Sequence, residues 1–311
     1  AVLGHEGAGV VEQVGEGVTE FAVGDHVMIT YASCGECEFC KKGQTYNCVN
    51  FVPLNFGGVQ KDGSYTYTQG DQDVKNFFGM SSFGMHAVVS TNSCIKVPES
   101  ADLATLAPFG CGLLTGAGTM LDYLGAKEGE TAVVYGCGAV GFAGIMGARL
   151  AGCSTVIAVG GNQWKLDLAK EVGATHVINR KETPDIAAEI RKISPAGAHA
   201  HLDTSGSHEM IQAALNSLAI GGRIACVAVM KDPVISLNIN NLLYTNSWIG
   251  SVMEGGSNKI ERLKFLVQAY MDGKFPADKL MTYYNFEDIN QAFADLNAGK
   301  VIKAVLKFPA Q

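Results

Sequence analysis

The spacing of apolar positions changes along the chain. Up to about residue 100 they occur in short runs between glycines, at 9–15, 24–29 and 87–89, which is typical of brief strands in a small barrel or irregular sheet. From about Thr115 strand-like apolar runs alternate with segments of helical spacing. This alternation predicts an α/β architecture, in which a parallel sheet is wrapped by helices and follows a β-rich region.

The elements of the second region can be placed individually. A helix is expected to follow the glycine-rich segment after residue 135 and to end near Ala151. A further helix and a last strand are expected at 286–297 and 301–308. Strands are predicted at 131–135, 155–159, 176–178, 200–203 and 223–230, with helices at 163–172, 185–193 and 209–218 between them.

Composition limits the class of protein. The 311 residues are 47% hydrophobic and 17% charged, which supports about two folded domains. The net charge is −7 and no basic stripe is present, so no nucleic-acid partner is expected. Residues 132–148 carry no charge, but five glycines interrupt them, so a buried strand, turn and helix are expected and no membrane span.

Four of the nine cysteines lie within 15 residues. Four thiolates can surround one Zn²⁺ tetrahedrally and leave no open position, which is the mark of a structural site. Scattered free thiols or a redox pair are the alternatives. The cluster favours a reducing compartment, with the cytoplasm as the default. The predicted zinc ligands are Cys34, Cys37, Cys40 and Cys48.

A glycine-rich segment follows the apolar strand at 131–135 and opens a helix. Gly136 permits a tight turn, Gly138 lets the backbone approach a pyrophosphate, and Gly141 lets helix and strand pack closely. The pyrophosphate would lie at the helix N-terminus, where N–H groups and the dipole favour anions. The predicted dinucleotide-binding residues of this segment are Gly136, Gly138, Ala139, Val140 and Gly141.

No carboxylate ends the second strand, where one normally binds the adenosine ribose hydroxyls. Gly160 and Gly161 stand there, and the absence of a carboxylate relieves repulsion toward a 2′-phosphate. Asn162, Gln163 and Lys165 could donate to that phosphate. The expected cofactor is therefore NAD(P), with a preference for NADP.

Together these segments resemble the zinc-containing medium-chain alcohol dehydrogenases, from Ala1 to the end of the chain. The matching pieces are 4–9, 23–27, the four-cysteine lobe, 111–116 and the nucleotide loop at 136–141. Residues 81–83 and the sequence around Cys111 are most similar to the aryl- or benzyl-alcohol dehydrogenase branch.

The resemblance implies a GroES-like catalytic domain at 1–113, with the zinc lobe at 34–48, a Rossmann domain at 114–255, and a return to the catalytic domain at 256–311. It also implies a catalytic zinc, as Lewis acid, and hydride transfer between an alcohol and nicotinamide C4. Spacing alone would leave His5 and Cys111 as ordinary structural residues. The residues that match the family's site are His5 and Cys111 as zinc ligands, Glu6 as the nearby carboxylate, Thr115 near the nicotinamide and Lys303 facing the pyrophosphate.

The family's first zinc-binding cysteine should lie about twenty residues before His5, outside this chain, so the catalytic domain is expected to be truncated at its N-terminus. A site of His5 and Cys111 should bind metal weakly unless Glu6 or water completes the shell. One alternative is therefore a fragment that binds nucleotide without turnover. Lys303 could equally be a solvated lysine, and Phe83 and Phe109 could pack in a core or line the substrate pocket.

The leading hypothesis is a zinc-dependent dehydrogenase for primary alcohols and aldehydes, aromatic or allylic ones in particular. The zinc-free reductase branch lacks the four-cysteine lobe, and residues 34–48 argue against it. A homodimer or homotetramer is expected by analogy, joined through the edge of the Rossmann sheet near 247–252.

Overall fold

The computed structural model describes residues 1–309. The contacts divide the chain into two compact units. The first contains Ala1–Cys111, Ser257–Gly273 and the segment from Ala277 onward. The second contains Gly112–Gly256 and Lys274–Pro276.

Thirteen strands and eleven α-helices are found in the described residues. The strands are β1 (Gly7–Val10), β2 (His26–Ile29), β3 (Tyr67–Gln69), β4 (Gln72–Val74), β5 (Cys94–Lys96), β6 (Thr131–Tyr135), β7 (Thr155–Gly160), β8 (His176–Asn179), β9 (Ala198–Asp203), β10 (Leu218–Cys226), β11 (Trp248–Gly250), β12 (Met281–Asn285) and β13 (Lys303–Lys307). The helices are α1 (Glu38–Lys41), α2 (Phe51–Phe56), α3 (Leu103–Leu106), α4 (Gly112–Gly118), α5 (Ala139–Leu150), α6 (Gln163–Glu171), α7 (Ile186–Ile193), α8 (His208–Asn216), α9 (Ile239–Thr245), α10 (Lys259–Met271) and α11 (Ile289–Asn297).

Shorter helical turns complete the chain. A π-helical turn at Thr119–Tyr123 continues α4. The predicted helix at 286–297 divides into a 3₁₀ turn, Phe286–Asp288, and α11. The other 3₁₀ turns are Thr45–Asn47, Thr91–Ser93, Ala107–Gly110, Glu254–Gly256 and Ala277–Leu280.

The second unit is a six-stranded parallel sheet in the order β8-β7-β6-β9-β10-β11. Numbered from β6, this is the order 3-2-1-4-5-6 of a doubly wound dinucleotide-binding sheet. All five residues of β6 are buried, because helices cover both faces of the sheet. Its core includes Val133, Ile157, Ile178 and Ile224.

Glycines let α5 approach its neighbours, which explains the uncharged segment at 132–148. A Cβ on Gly116 of α4 would lie 2.0 Å from the Val140 carbonyl oxygen. A Cβ on Gly144 would lie 2.4 Å from Leu202 of β9. In the part of the chain described, no single helix meets the length and apolarity of a membrane span, although one bent pair, Leu103–Gly110 with Gly112–Tyr123, passes that test together.

The first unit contains an antiparallel sheet, β1-β2-β5, the β3-β4 hairpin and the parallel pair β12-β13. In the sheet, Val27 of β2 lies opposite Gly9 of β1 and Lys96 of β5. Met28 is fully buried at the centre of this sheet. β1 follows the first residues of the chain, and β2 precedes the loop that carries the four cysteines.

Three expected strands differ in the structure. The strand expected at 9–15 is β1, which begins at Gly7 and already ends at Val10. The segment 87–89 is not a strand, because among residues 1–309 no segment forms a ladder with it, and Val88 is exposed. The strand expected at 223–230 is β10, which begins at Leu218 and ends at Cys226. Its last partner is Asp203, where β9 ends, so within residues 1–309 no neighbouring strand pairs with 227–230.

Candidate active site

The four predicted cysteines surround one point. Their Sγ atoms all lie within 4.8 Å of one another, and Cys34 and Cys40 Sγ are 3.9 Å apart. Tetrahedral zinc with bonds of about 2.3 Å requires a sulfur–sulfur separation of about 3.8 Å. The donor set and its spacing therefore fit a structural zinc ion with no open position.

Backbone N–H groups donate to sulfur atoms of this cluster. Cys34 N–H donates to Cys48 Sγ at 3.3 Å, and Cys37 N–H donates to Cys34 Sγ at 3.4 Å. Burial opposes the thiolate of Cys34, but N–H groups of Glu36 and Cys37 outweigh it and lower its pKa to about 6. Burial raises the pKa of Cys40 to about 12. A bound divalent cation would supply the charge that holds all four as thiolates.

A second donor cluster joins the start of the chain to the end of the 3₁₀ turn at Ala107–Gly110. The nitrogen, oxygen and sulfur donors of His5, Glu6 and Cys111 lie within 4.8 Å of one another. Three protein ligands that leave further positions free are the arrangement of catalytic zinc sites. The three residues are partly buried, so the residues present fit a zinc ion open to a small molecule.

Two phenylalanines border His5. The ring of Phe78 lies 4.8 Å from the imidazole, and the ring of Phe77 lies 5.7 Å away, edge to face. Burial lowers the pKa of His5, with Glu6 opposing and Lys303 adding to the decrease. His5 is therefore neutral at physiological pH, the form that ligates a metal.

Glu6 forms an ion pair with Lys303 of β13. Both side chains are mostly buried, at 14% and 21% exposure, so solvent screens the pair only in part. Lys303 is thus not a solvated lysine: it contacts the carboxylate of the donor cluster. Its predicted role toward a pyrophosphate stays a prediction.

The segment around Ser81 and Ser82 holds the turn that carries His5. Ser81 Oγ donates to the Val2 carbonyl at 2.7 Å, and Ser82 Oγ donates to the Glu6 carbonyl at 2.7 Å. Gly4 adopts φ +90°, and a Cβ there would lie 2.5 Å from the Phe83 nitrogen. Only glycine lets the two segments approach this closely.

The glycine turn between β6 and α5 has the predicted shape. Gly136 has φ +99°, and a Cβ on Gly141 would lie 1.9 Å from the Gly136 carbonyl oxygen. Gly138, the N-cap of α5, is exposed, and a Cβ there would have no other atom within 4 Å. The open N-terminus of α5, with Ala139 and Val140 in its first turn, fits a pyrophosphate.

Thr204 supports this turn from the end of β9. Its hydroxyl contacts the carbonyl oxygens of Tyr135 and Gly136 at 2.9 and 3.1 Å. This contact requires a glycine at position 136, because a Cβ there would lie 2.6 Å from Thr204 Oγ1. No sequence motif indicated this contact, since Thr204 lies far along the chain from the turn.

β7 ends at Gly160 without an acidic side chain, as the sequence predicts. Asn162 is the N-cap of α6, and its side chain makes no capping hydrogen bond. Lys165 Nζ lies 5.4 Å from the ring of Trp164. Gln163 Nε2 already donates to Asp167 at 2.9 Å, so this amide is less available than expected.

Three other predicted residues are not members of either donor cluster. Thr115 lies in α4 of the second unit and is partly buried. Phe109 is fully buried and packs against Tyr270, which makes it a core residue. Phe83 packs against Phe293. The aromatic residues that do border His5, Phe77 and Phe78, carry no signal in the sequence other than their adjacency.

Known proteins resemble this chain along most of its length. A family model described as "Alcohol dehydrogenase GroES-like domain" matches residues 1–99, and one described as "Zinc-binding dehydrogenase" matches residues 139–268. The chain is 36% identical over 310 residues to geraniol dehydrogenase of Castellaniella defragrans, a match that covers 99% of this chain and 83% of that protein. It is 35% identical over 316 residues to alcohol dehydrogenase class-3 of Caenorhabditis elegans, covering 99% and 82%.

Solved structures of alcohol dehydrogenases superpose on this chain along nearly its whole length. An alcohol dehydrogenase zinc-binding domain protein from Burkholderia ambifaria superposes with a TM-score of 0.96 at 40% identity, covering 100% of this chain and 84% of that one. Benzyl alcohol dehydrogenase from Acinetobacter calcoaceticus superposes with a TM-score of 0.93 at 37% identity, covering 99% and 84%. These matches confirm the resemblance and the fold class expected from the sequence.

Proposed function

The chain belongs to the zinc-dependent alcohol dehydrogenases, and from that premise we propose that it interconverts primary alcohols and aldehydes with a nicotinamide dinucleotide. The observation that carries the proposal is the cluster of His5, Glu6 and Cys111 donors within 4.8 Å. One nitrogen, one carboxylate oxygen and one thiolate form a donor set that zinc accepts.

These three residues would hold the catalytic zinc, and Cys34, Cys37, Cys40 and Cys48 would hold the structural one. A bound catalytic zinc supplies Lewis acidity, which lowers the pKa of an alcohol. The chain's own residues prepare the site: neutral His5 offers a lone pair, and Lys303 offsets the charge of Glu6.

We place the substrate's apolar group against the aromatic residues that border His5. Phe56, at 53% exposure, packs edge to face on Phe77 and Phe78 and extends their surface toward solvent. Flat π-systems pack favourably on such rings. Two of the relatives are named for geraniol and benzyl alcohol, primary alcohols whose carbinol carbon adjoins a π-system. The proposed substrates are therefore aromatic or allylic primary alcohols.

Steady-state oxidation of benzyl alcohol, geraniol and ethanol by zinc-replete protein tests this function. Burial of a phenyl group should raise kcat/KM for benzyl alcohol over ethanol by about thirtyfold. Phe78→Ala should reduce that ratio, whereas Phe265→Leu, on the exposed face of α10, should not. Equal efficiencies for the three alcohols would contradict the substrate class, and no oxidation of any alcohol would contradict the function itself.

For the cofactor we propose NADP in preference to NAD. The end of β7, at Gly160, carries no carboxylate to repel a 2′-phosphate. Asn162, with no capping bond, and Lys165 lie in the same turn and can donate to an anion. The comparison of kcat/KM for NADP and NAD at one alcohol concentration tests this preference, and a preference for NAD would contradict it.

We propose a homodimer, alone or within a tetramer, joined through the β11 edge of the parallel sheet. Among the described residues β11 pairs with β10 only. In α9, the helix that precedes β11 in the chain, Leu243 and Tyr244 are 67% and 76% exposed, a costly arrangement unless another surface covers them. Light scattering should give an even number of subunits, and Leu243→Asp should reduce it. The free thiols suit the reducing cytoplasm, our proposed location.

A further inference from the structure

We propose that Arg180 and Lys181, in the turn after β8, bind the phosphate on the adenosine ribose and determine the choice of cofactor. This inference rests on the proposed use of a nicotinamide dinucleotide and adds a second side to its binding site. The expectation from the sequence involved only residues after β7. The tertiary structure brings the turn after β8 beside them.

A backbone hydrogen bond fixes the position of this turn. Arg180 N–H donates to the Gly160 carbonyl at 2.8 Å, so the turn lies directly beside the end of β7. The parallel pairing of β7 with β8 sets this contact, since Asn179 lies opposite Gly160 in the ladder. The carboxyl ends of these strands form the edge where doubly wound sheets bind ligands.

The two basic side chains then extend over Gly161. A Cβ placed on Gly161 would lie 3.2 Å from Arg180 Nε and 3.4 Å from Lys181 Cε. The lack of a side chain at Gly161 therefore leaves room for both chains beside its backbone. Gly161 directly follows Gly160, at the strand end where a dinucleotide-binding sheet normally carries the carboxylate that binds the ribose.

The charges around the turn favour an anion. Within residues 1–309, neither Arg180 nor Lys181 forms an ion pair. The carboxylates of Glu182 and Asp167 accept from neutral amides, Asn179 Nδ2 at 2.7 Å and Gln163 Nε2 at 2.9 Å, and not from the two basic side chains. The basic pair is thus free to bind a ligand.

The chemistry of the pair selects the ligand. A 2′-phosphate carries nearly two negative charges near neutral pH, and a planar guanidinium can bind two of its oxygens at once. A 2′-hydroxyl, as in NAD, offers no such charge. Arg180 and Lys181 should therefore strengthen binding of 2′-phosphorylated nucleotides and leave other nucleotides nearly unaffected.

Titration calorimetry with NADPH, NADH, adenosine 2′,5′-bisphosphate and 5′-AMP tests this assignment without catalysis. Arg180→Ala should weaken binding of NADPH and of the bisphosphate by about tenfold, and the double variant with Lys181→Ala should weaken it further. NADH and 5′-AMP should bind as before. Lys170→Ala, an exposed lysine in the last turn of α6, is the matched control and should change neither.

The outcomes separate the two levels of the proposal. If the wild-type protein binds NADPH no more tightly than NADH, the NADP preference proposed above is wrong. If the wild type prefers NADPH but Arg180→Ala and the double variant keep that preference, the preference stands and this inference is overturned. An equal loss for NADPH and NADH would also overturn it, because it would indicate a general effect on the fold.

Discussion

Ser82 Oγ donates a hydrogen bond to the carbonyl oxygen of Glu6 at 2.7 Å, across 76 residues of sequence. Through this contact the segment 81–83 sets the position of the turn that presents His5 and Glu6. A backbone carbonyl that accepts a side-chain hydrogen bond cannot rotate without losing it. The orientation of the proposed metal donors therefore depends on a residue that is not itself one of the donors.

Replacement of the Ser82 hydroxyl should weaken zinc binding by the His5 cluster. In Ser82→Ala, the Glu6 carbonyl loses its donor and the His5 turn gains freedom, which should lower zinc affinity by about tenfold. Competition with a chromophoric chelator measures that affinity. Ser64→Ala, which removes an exposed hydroxyl bonded to Asp62, is the control. Unchanged zinc affinity in Ser82→Ala would show that the turn keeps its geometry by other contacts.

The hydroxyl of Thr204 should matter for nucleotide binding in the same way. Thr204→Val removes both contacts to the carbonyls of Tyr135 and Gly136 and should weaken binding of reduced cofactor by about tenfold. Fluorescence titration of the bound dihydronicotinamide measures it. Thr204→Ser keeps the hydroxyl and should bind nearly as the wild type does. Unchanged binding in Thr204→Val would contradict this role of the hydroxyl, and a loss in Thr204→Ser alone would point to the methyl group instead.

The four-cysteine cluster should be a requirement for stability. In Cys48→Ser, the loop at 34–48 loses one of four thiolates, and the bound zinc should fall from two ions per chain to one. Because structural zinc contributes directly to folding free energy, Tm should also fall. Elemental analysis and thermal unfolding measure the two effects. Cys226→Ser, a cysteine outside both clusters, should keep two zinc ions per chain.

A buried histidine should make stability depend on pH. His201 is fully buried, accepts from Tyr135 OH through Nδ1 at 3.1 Å, and donates through Nε2 to the Ala198 carbonyl at 3.1 Å. Burial lowers its pKa to about 4 from 6.5. Between these values the unfolded chain binds a proton that the folded protein excludes, so the free energy of unfolding falls as pH drops from 6.5 to 4.

Over this pH range the free energy of unfolding should fall by about 3 kcal/mol in total because of His201. Urea unfolding at pH 7 and pH 4.5 should show a smaller pH dependence for His201→Gln than for the wild type. His176→Gln, at an exposed position on β8, should keep the dependence of the wild type. If His201→Gln kept it too, other groups, such as Glu130, whose pKa, despite burial, is lowered by the neighbouring Arg223, would be its source.

The local sequence was sufficient wherever structure depends on neighbours in the chain. The strand Thr131–Tyr135 and the helix after the glycine turn follow from apolar spacing and from glycines that permit positive φ. The four cysteines were found together because one short loop carries them all. The parallel sheet followed from alternation of strands and helices, since such connections have few possible topologies.

The features that only the tertiary structure revealed depend on residues that are distant from one another in the sequence. β10 ends at Cys226 because β9 ends at Asp203, and no local pattern contains that limit. The segment 87–89 has strand-like residues, but no strand in the described part of the chain pairs with it. Glu6 and Lys303, or Gly161 and Arg180, meet only after the sheets form. Apolar periodicity determines which face of an element is buried, whereas a binding site depends on which polar side chains the folded backbone brings within a few ångströms.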